Sequence, residues 1–193
     1  MKTAVSLIAA ILTAASAQAV SNTVQLIAQQ DVFEAALDGR TAVIETALKQ
    51  NYDVNAGNNE KRTALMFAAF NARTDTVKLL LDAGAEVNRQ DIGGTSALMF
   101  AASAPNGKDA LTLLLDAGAD INMIDSNEHF TALMWAAAEG QAENVRLLLA
   151  RGADTRLQDI DGDTAESFAA KAGHTAIAEF IKNSGADAKA TKD

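Results

Sequence analysis

Apolar and polar positions recur along this chain in ordered blocks. Thr63-Ala64-Leu65-Met66-Phe67-Ala68-Ala69 returns as Ser96-Ala97-Leu98-Met99-Phe100-Ala101-Ala102 and as Thr131-Ala132-Leu133-Met134-Trp135-Ala136-Ala137, and more distantly as Thr164 to Ala170. The steps are 33, 35 and 33 residues. A leucine block follows the first three copies: Val77 to Leu81, Leu111 to Leu115 and Val145 to Leu149. A third block then closes the unit at Asp82 to Asn88, Asp116 to Asn122 and Ala150 to Arg156. Self-similarity at a period of about 20–50 residues marks a repeat architecture.

Each block has a physical reading. Thr63 and Ser96 suit a helix start, where the hydroxyl accepts from a free amide. The alanine pairs let two antiparallel helices approach closely, and the leucine triplets supply a wide inner face for a second helix. Gly84, Gly118, Gly152 and Gly185 stand just past that second helix, where a left-handed residue ends it. Asn51 holds the same place one period before Gly84, and Ala35-Ala36-Leu37 with Val54-Asn55 carry the pattern back into a first unit. Five units follow, roughly 25–57, 58–90, 91–125, 126–158 and 159–190.

These blocks resemble the ankyrin repeat family, whose motif runs Thr-Pro-Leu-His-x-Ala-Ala, then a leucine-rich helix, then Gly-Ala-Asp-x-Asn. Here alanine replaces the proline at Ala64, Ala97 and Ala132, and methionine replaces the histidine at Met66, Met99 and Met134. The hydrogen bonds of that histidine are therefore expected to give way to packing. Extra residues in the third unit gather around Ser103 to Gly107, and Pro105 belongs to the turn between helices. The resemblance implies an all-α solenoid of about five helix-turn-helix units over residues 20–190. Finger loops are expected at Asn58–Arg62, Asp91–Thr95, Ser126–Phe130 and Asp159–Asp163. The ends of such a stack need polar outer faces. Unit one is expected to cap the N-terminal end. In unit five, Glu166-Ser167 and Phe180-Ile181-Lys182 replace buried pairs, and Ser184 to Asp193 reads as a frayed tail, with 191–193 beyond the repeats.

Residues 1–19 read as a signal peptide. Lys2 precedes a charge-free run from Thr3 to Ala15, too short for a membrane helix of about 20 residues, and Ala17-Gln18-Ala19 fits a cut between Ala19 and Val20. Ala17 is the second choice of cleavage site. The expected location is the periplasm, with secretion second, and no membrane attachment after cleavage. The net charge of −9 becomes −10 once Lys2 is removed. That balance argues against nucleic acid, which selects basic patches. Cysteine is absent, so neither a disulfide nor a thiolate site is available.

Candidate chemistry is sparse. Asp159, Asp161 and Asp163 alternate like calcium ligands, but Thr164 and Ala170 stand where such a loop needs glycine and glutamate. His129 and His174 lie far apart in sequence, and His174 reads as a local cap. No cofactor, metal site or catalytic constellation is expected. Aromatic residues carry the clearer signal: Phe67, Phe100, Trp135 and Phe168 hold one position in four successive units. The resemblance places that position on the first helix, towards the concave groove that binds partners. Two readings stay open, filler between units and an apolar binding strip that Phe70, Ile92, Phe130 and Ile160 would extend. Acidic Asp161 and Asp163 would add attraction for a basic partner. The expected function is a monomeric, non-catalytic module for an unidentified protein partner. Stress protection is one setting the resemblance implies, since some small exported members of the family are tied to protection against peroxide through a periplasmic catalase. The rivals are an immunity-type inhibitor of a basic toxin and a metal-dependent hydrolase.

Overall fold

A computed structural model describes residues 31–190, with side chains as far as Gly185. The expected cut at Ala19 and Val20, the rest of 1–30 and the 191–193 tail lie outside the described residues. Helices come in pairs: α1 over 31–38 with α2 (Thr41–Lys49), α3 (Ala64–Phe70) with α4 (Thr74–Asp82), and α5 (Ala97–Ser103) with α6 (Lys108–Asp116). Then follow α7 (Ala132–Ala138) with α8 (Ala142–Ala150) and α9 (Ala165–Lys171) with α10 (Thr175–Ala190). First helices pack on first helices along the stack, and second helices on second helices.

The alanine pairs Ala68-Ala69, Ala101-Ala102 and Ala136-Ala137 are fully buried, which lets the short first helices lie close on either side. Within each leucine triplet only the middle residue is fully enclosed: Leu80, Leu114 and Leu148. Gly84, Gly118 and Gly152 take φ near +87°, and Asn51 takes φ 61°, so all four end their helices in the left-handed region. Gly185 does not. It lies inside α10, which runs on to Ala190 and replaces the frayed tail expected from Ser184. Its value is closeness: a Cβ there would stand 2.9 Å from Thr155 Oγ1.

Methionine does more than fill space. Thr63, Ser96 and Thr131 each accept at Oγ from the backbone N–H of Met66, Met99 and Met134, at 3.4, 3.4 and 3.2 Å. Each methionine sulfur in turn accepts the cap residue's own N–H, at 3.4, 3.5 and 3.4 Å. This is a capping box with thioether replacing carboxylate. The sulfur is a weak acceptor, but it corrects the expectation that packing alone takes over from histidine.

The two extra residues of unit three are also separated. One enters at the Pro105 turn, where buried Asn144 of α8 donates to Ala102 O at 3.0 Å and Ala104 O at 3.1 Å. The other enters the next finger, which starts at Asp125 and not at Ser126, and is one residue longer than the rest. Its left-handed residue is His129, φ 62°. His174 stands immediately before α10, where its carbonyl accepts from the N–H groups of Ile177 and Ala178, and its ring packs on Gly140 of the preceding unit, within 2.6–2.9 Å of where a Cβ would be.

Val43, the third residue of α2, is 37% exposed, whereas its counterparts Thr76, Ala110, Asn144 and Ile177 are buried against the preceding unit.

Two substitutions should separate packing from capping by chemical denaturation. Leu133→Ala, at a position 1% exposed, is expected to cost about 2–5 kcal/mol. Met99→Leu keeps the volume and loses only the sulfur acceptor, so a loss of about 1 kcal/mol is expected.

Candidate functional site

Four fingers project from the stack, each closed by the same device. The first residue's side-chain oxygen accepts two backbone N–H groups further along. Asn58 takes those of Glu60 and Arg62, and Asp91 those of Gly93 and Thr95. Asp125 takes those of Asn127 and Glu128, and Asp159 those of Asp161 and Asp163. Asp159 thus closes its finger as a turn-former. Among the described residues, no three ionisable side chains that ligate metals cluster around one point.

The fingers are also bonded to one another. Ile92 N–H donates to Glu60 O at 2.9 Å, Ser126 N–H to Gly93 O at 2.9 Å, and Ile160 N–H to Glu128 O at 3.1 Å. Gly94 permits one of these approaches. Its φ is +80°, and a Cβ would collide with Ser126 N at 2.2 Å. A side chain there would both strain the turn and push neighbouring fingers apart. The ladder fixes Ile92 and Ile160 at equivalent tip positions, 63% and 56% exposed.

On the groove floor, Phe67, Phe100, Trp135 and Phe168 sit at the fourth position of α3, α5, α7 and α9, each half-buried. They do not form one continuous row. Phe67 meets Phe33 of α1, with centroids 5.4 Å apart. Phe100 takes the edge of Phe70, which is 52% exposed, and lies under the Arg62 guanidinium at 5.6 Å. Trp135 and Phe168 share Phe130, whose ring is edge-on to both, at 5.8 and 4.9 Å. Such pairs contribute about 0.5–1.5 kcal/mol beyond burial. The Trp135 Nε1–H is buried with no hydrogen-bond partner. Only Phe70, Ile92 and Ile160 of the predicted strip are broadly exposed.

Arg62 was missed by sequence reasoning. It holds the same place in its finger as Phe130, immediately before the capping threonine, and each covers the groove aromatic of a following unit. That shared position was the available signal. Arg62 also pairs with buried Asp91 at 3.0 Å and with Glu60 at 2.8 Å. At the far end the acidic finger carries its own counter-ion, because Lys171 pairs with Asp163. The Asp163 hydrogen bond, with the charges of Asp163, Asp159 and Asp161 behind it, holds that ammonium above the ordinary lysine range. Asp161 is exposed and faces outward.

Paired helices, alanine-packed first helices and a ladder of hydrogen-bonded fingers define the class: a helical repeat solenoid. The description "Ankyrin repeats (3 copies)" matches residues 11–91, 32–125 and 98–192. The chain belongs to the ankyrin repeat family, whose repeats generally mediate protein–protein interaction and are typically non-catalytic. No curated protein matches the chain closely enough to serve as a relative. Among the described residues, no helix is long and apolar enough to cross a membrane.

Phe130 shields the only tryptophan, so fluorescence reports on this cluster. Phe130→Ala should shift Trp135 emission to longer wavelength and raise its quenching by acrylamide. An unchanged spectrum would place Trp135 in the core independently of Phe130.

Proposed function

We propose that the processed chain works in the periplasm as a non-catalytic module that binds a protein partner through its concave groove and finger tips. One observation carries this reading. Phe70, Ile92 and Ile160 stay broadly exposed on a surface whose other groove aromatics are half-covered. Exposed apolar groups beside charged ones suit an interface with apolar anchors and a polar rim. The periplasmic setting is supported by the layout of residues 1–19, and a stress-protective role by family analogy alone. Export is tested by sequencing the N-terminus of the native protein. Val20 is the expected first residue, and soluble protein that begins at Met1 overturns it.

The partner surface facing units four and five is basic in this reading. Support comes from the net charge of −9 and from exposed Asp161 and Glu128 at neighbouring finger tips. Asp163 contributes less, because Lys171 answers its charge. Rim charges mainly speed association, and salt screens them. With the partner in hand, Asp161→Asn should slow association at low salt and flatten its salt dependence, whereas Asp163→Asn should do so more weakly. Equal rates for wild type and Asp161→Asn would remove the electrostatic component of the proposal. The same acidic surface favours one second reading, inhibition of a basic toxin. It is recognised by loss of the partner's activity on binding.

A further inference from the structure

The finger that carries Phe130 is closed differently from the other three. In those, the first side chain reaches the amide of the last residue before the helix cap. Asn58 Oδ1 accepts from Arg62 at 2.9 Å, Asp91 Oδ1 from Thr95 at 2.9 Å and Asp159 Oδ1 from Asp163 at 2.7 Å. Asp125 spends its oxygen earlier, on Asn127 at 3.1 Å and Glu128 at 2.9 Å. Phe130, the last residue of this finger, keeps only the bond from Asp125 N–H to its carbonyl, at 3.0 Å. Its own N–H meets no acceptor among the described residues. The residue before it, His129, is exposed and takes φ 62°, a region that favours glycine.

Arg62 makes the contrast plain. It covers Phe100 from the equivalent place, but its amide is tied to Asn58 and its guanidinium to Asp91 and Glu60. Phe130 is held over Trp135 and Phe168 by ring contacts and one carbonyl bond. What lies beneath differs too. The Trp135 Nε1–H is buried without a partner. A donor taken out of water and left unpaired is costly, and native proteins keep few of them. Beside this cover stands Ile160, 56% exposed, whose N–H is bonded to Glu128 O. Glu128 and Asp161 are exposed at the same two finger tips.

We infer that the Phe130 ring holds, in the free chain, the place of an apolar side chain of the partner. Binding swings Phe130 off Trp135, the partner's side chain packs on Trp135 and Phe168 instead, and a backbone carbonyl of the partner accepts from Trp135 Nε1–H. The occupant is a polypeptide segment with an apolar residue next to Lys or Arg. A peptide brings a carbonyl with every side chain, which answers the unpaired indole, and the basic neighbour answers Glu128 and Asp161. A second copy of the chain fits less well, because its net charge of −9 would bring like charge to an acidic rim. The inference rests on the reading of the groove as a protein-binding surface and names what that surface takes.

Random peptides displayed on phage are selected on the purified chain, and the enriched ones are titrated into protein with isotope-labelled tryptophan. Trp135 is the only tryptophan, so the single indole cross-peak in the NMR spectrum reports on it alone. Binding should move the indole proton downfield as it gains an acceptor. Phe130→Ala should bind the peptides about threefold tighter, because removing the internal competitor raises the competent fraction. An ordinary contact residue would show the opposite sign. Trp135→Phe keeps a ring and removes the donor, so binding should weaken about fivefold, the worth of one neutral hydrogen bond. Phe130→Leu should show the same sign as Phe130→Ala and replaces it should that variant not fold. Equal or weaker binding by the Phe130 variants overturns the inference, as does an indole proton that stays in place. The groove reading survives either result where Ile92→Ser and Ile160→Ser still weaken the peptides. Peptides indifferent to both serine variants overturn that reading together with the inference. A chain that dimerises with its indole proton already downfield would make a second copy the occupant, and also overturns it.

Discussion

Every unit of this protein carries an apolar face that it cannot bury alone, and the stack is the consequence. A seven-residue first helix and a nine-residue second helix are too short to persist in water by propensity. Leu80, Leu114 and Leu148 are enclosed only because another pair of helices lies against them. Stability in such an array is a sum of nearest-neighbour contacts. A defect at one interface therefore weakens both halves of the stack, and the terminal faces are where the arrangement is most exposed.

Hydrogen bonds run along the same axis and fix the spacing that the apolar contacts require. Asn55, Asn88 and Asn122 each accept, at Oδ1, the backbone N–H of Glu86, Asp120 and Asp154 in the following unit, at 2.8, 2.8 and 2.9 Å. Arg156 breaks this series. In unit five the chain continues as α10, so the loop that would offer the next amide does not form. The finger ladder adds a second set of such bonds at the opposite edge. Between them the two sets hold the groove floor and the finger tips in register, which is what lets separate loops present one surface.

That surface divides by chemistry. Towards unit two, Arg62 lies over Phe100 with Phe70 at its edge, and its charge is answered by Glu60 and buried Asp91. Towards unit five, Phe130 closes over Trp135 and Phe168, and the neighbouring finger is acidic. One end is thus a compensated cation on an aromatic, the other an aromatic cluster beside carboxylates. A partner that reads both ends must lie along the groove in one direction.

By itself the sequence determined the number of units, the cap at Thr63 and Ser96, the left-handed residues at Asn51, Gly84, Gly118 and Gly152, and the turn at Pro105. All of these depend on residues within a few positions of one another, so their physics is local and their spacing legible. Only the tertiary structure decided that Gly185 stays helical, inside α10 and against Thr155 of the preceding unit. It alone separated the two insertions and put methionine sulfur to work as an acceptor. It also showed that Phe130 covers Trp135 while Val43 is left bare. Those outcomes turn on what a neighbouring unit does or does not supply, and a repeat pattern, being the same at every step, cannot say where the neighbours end.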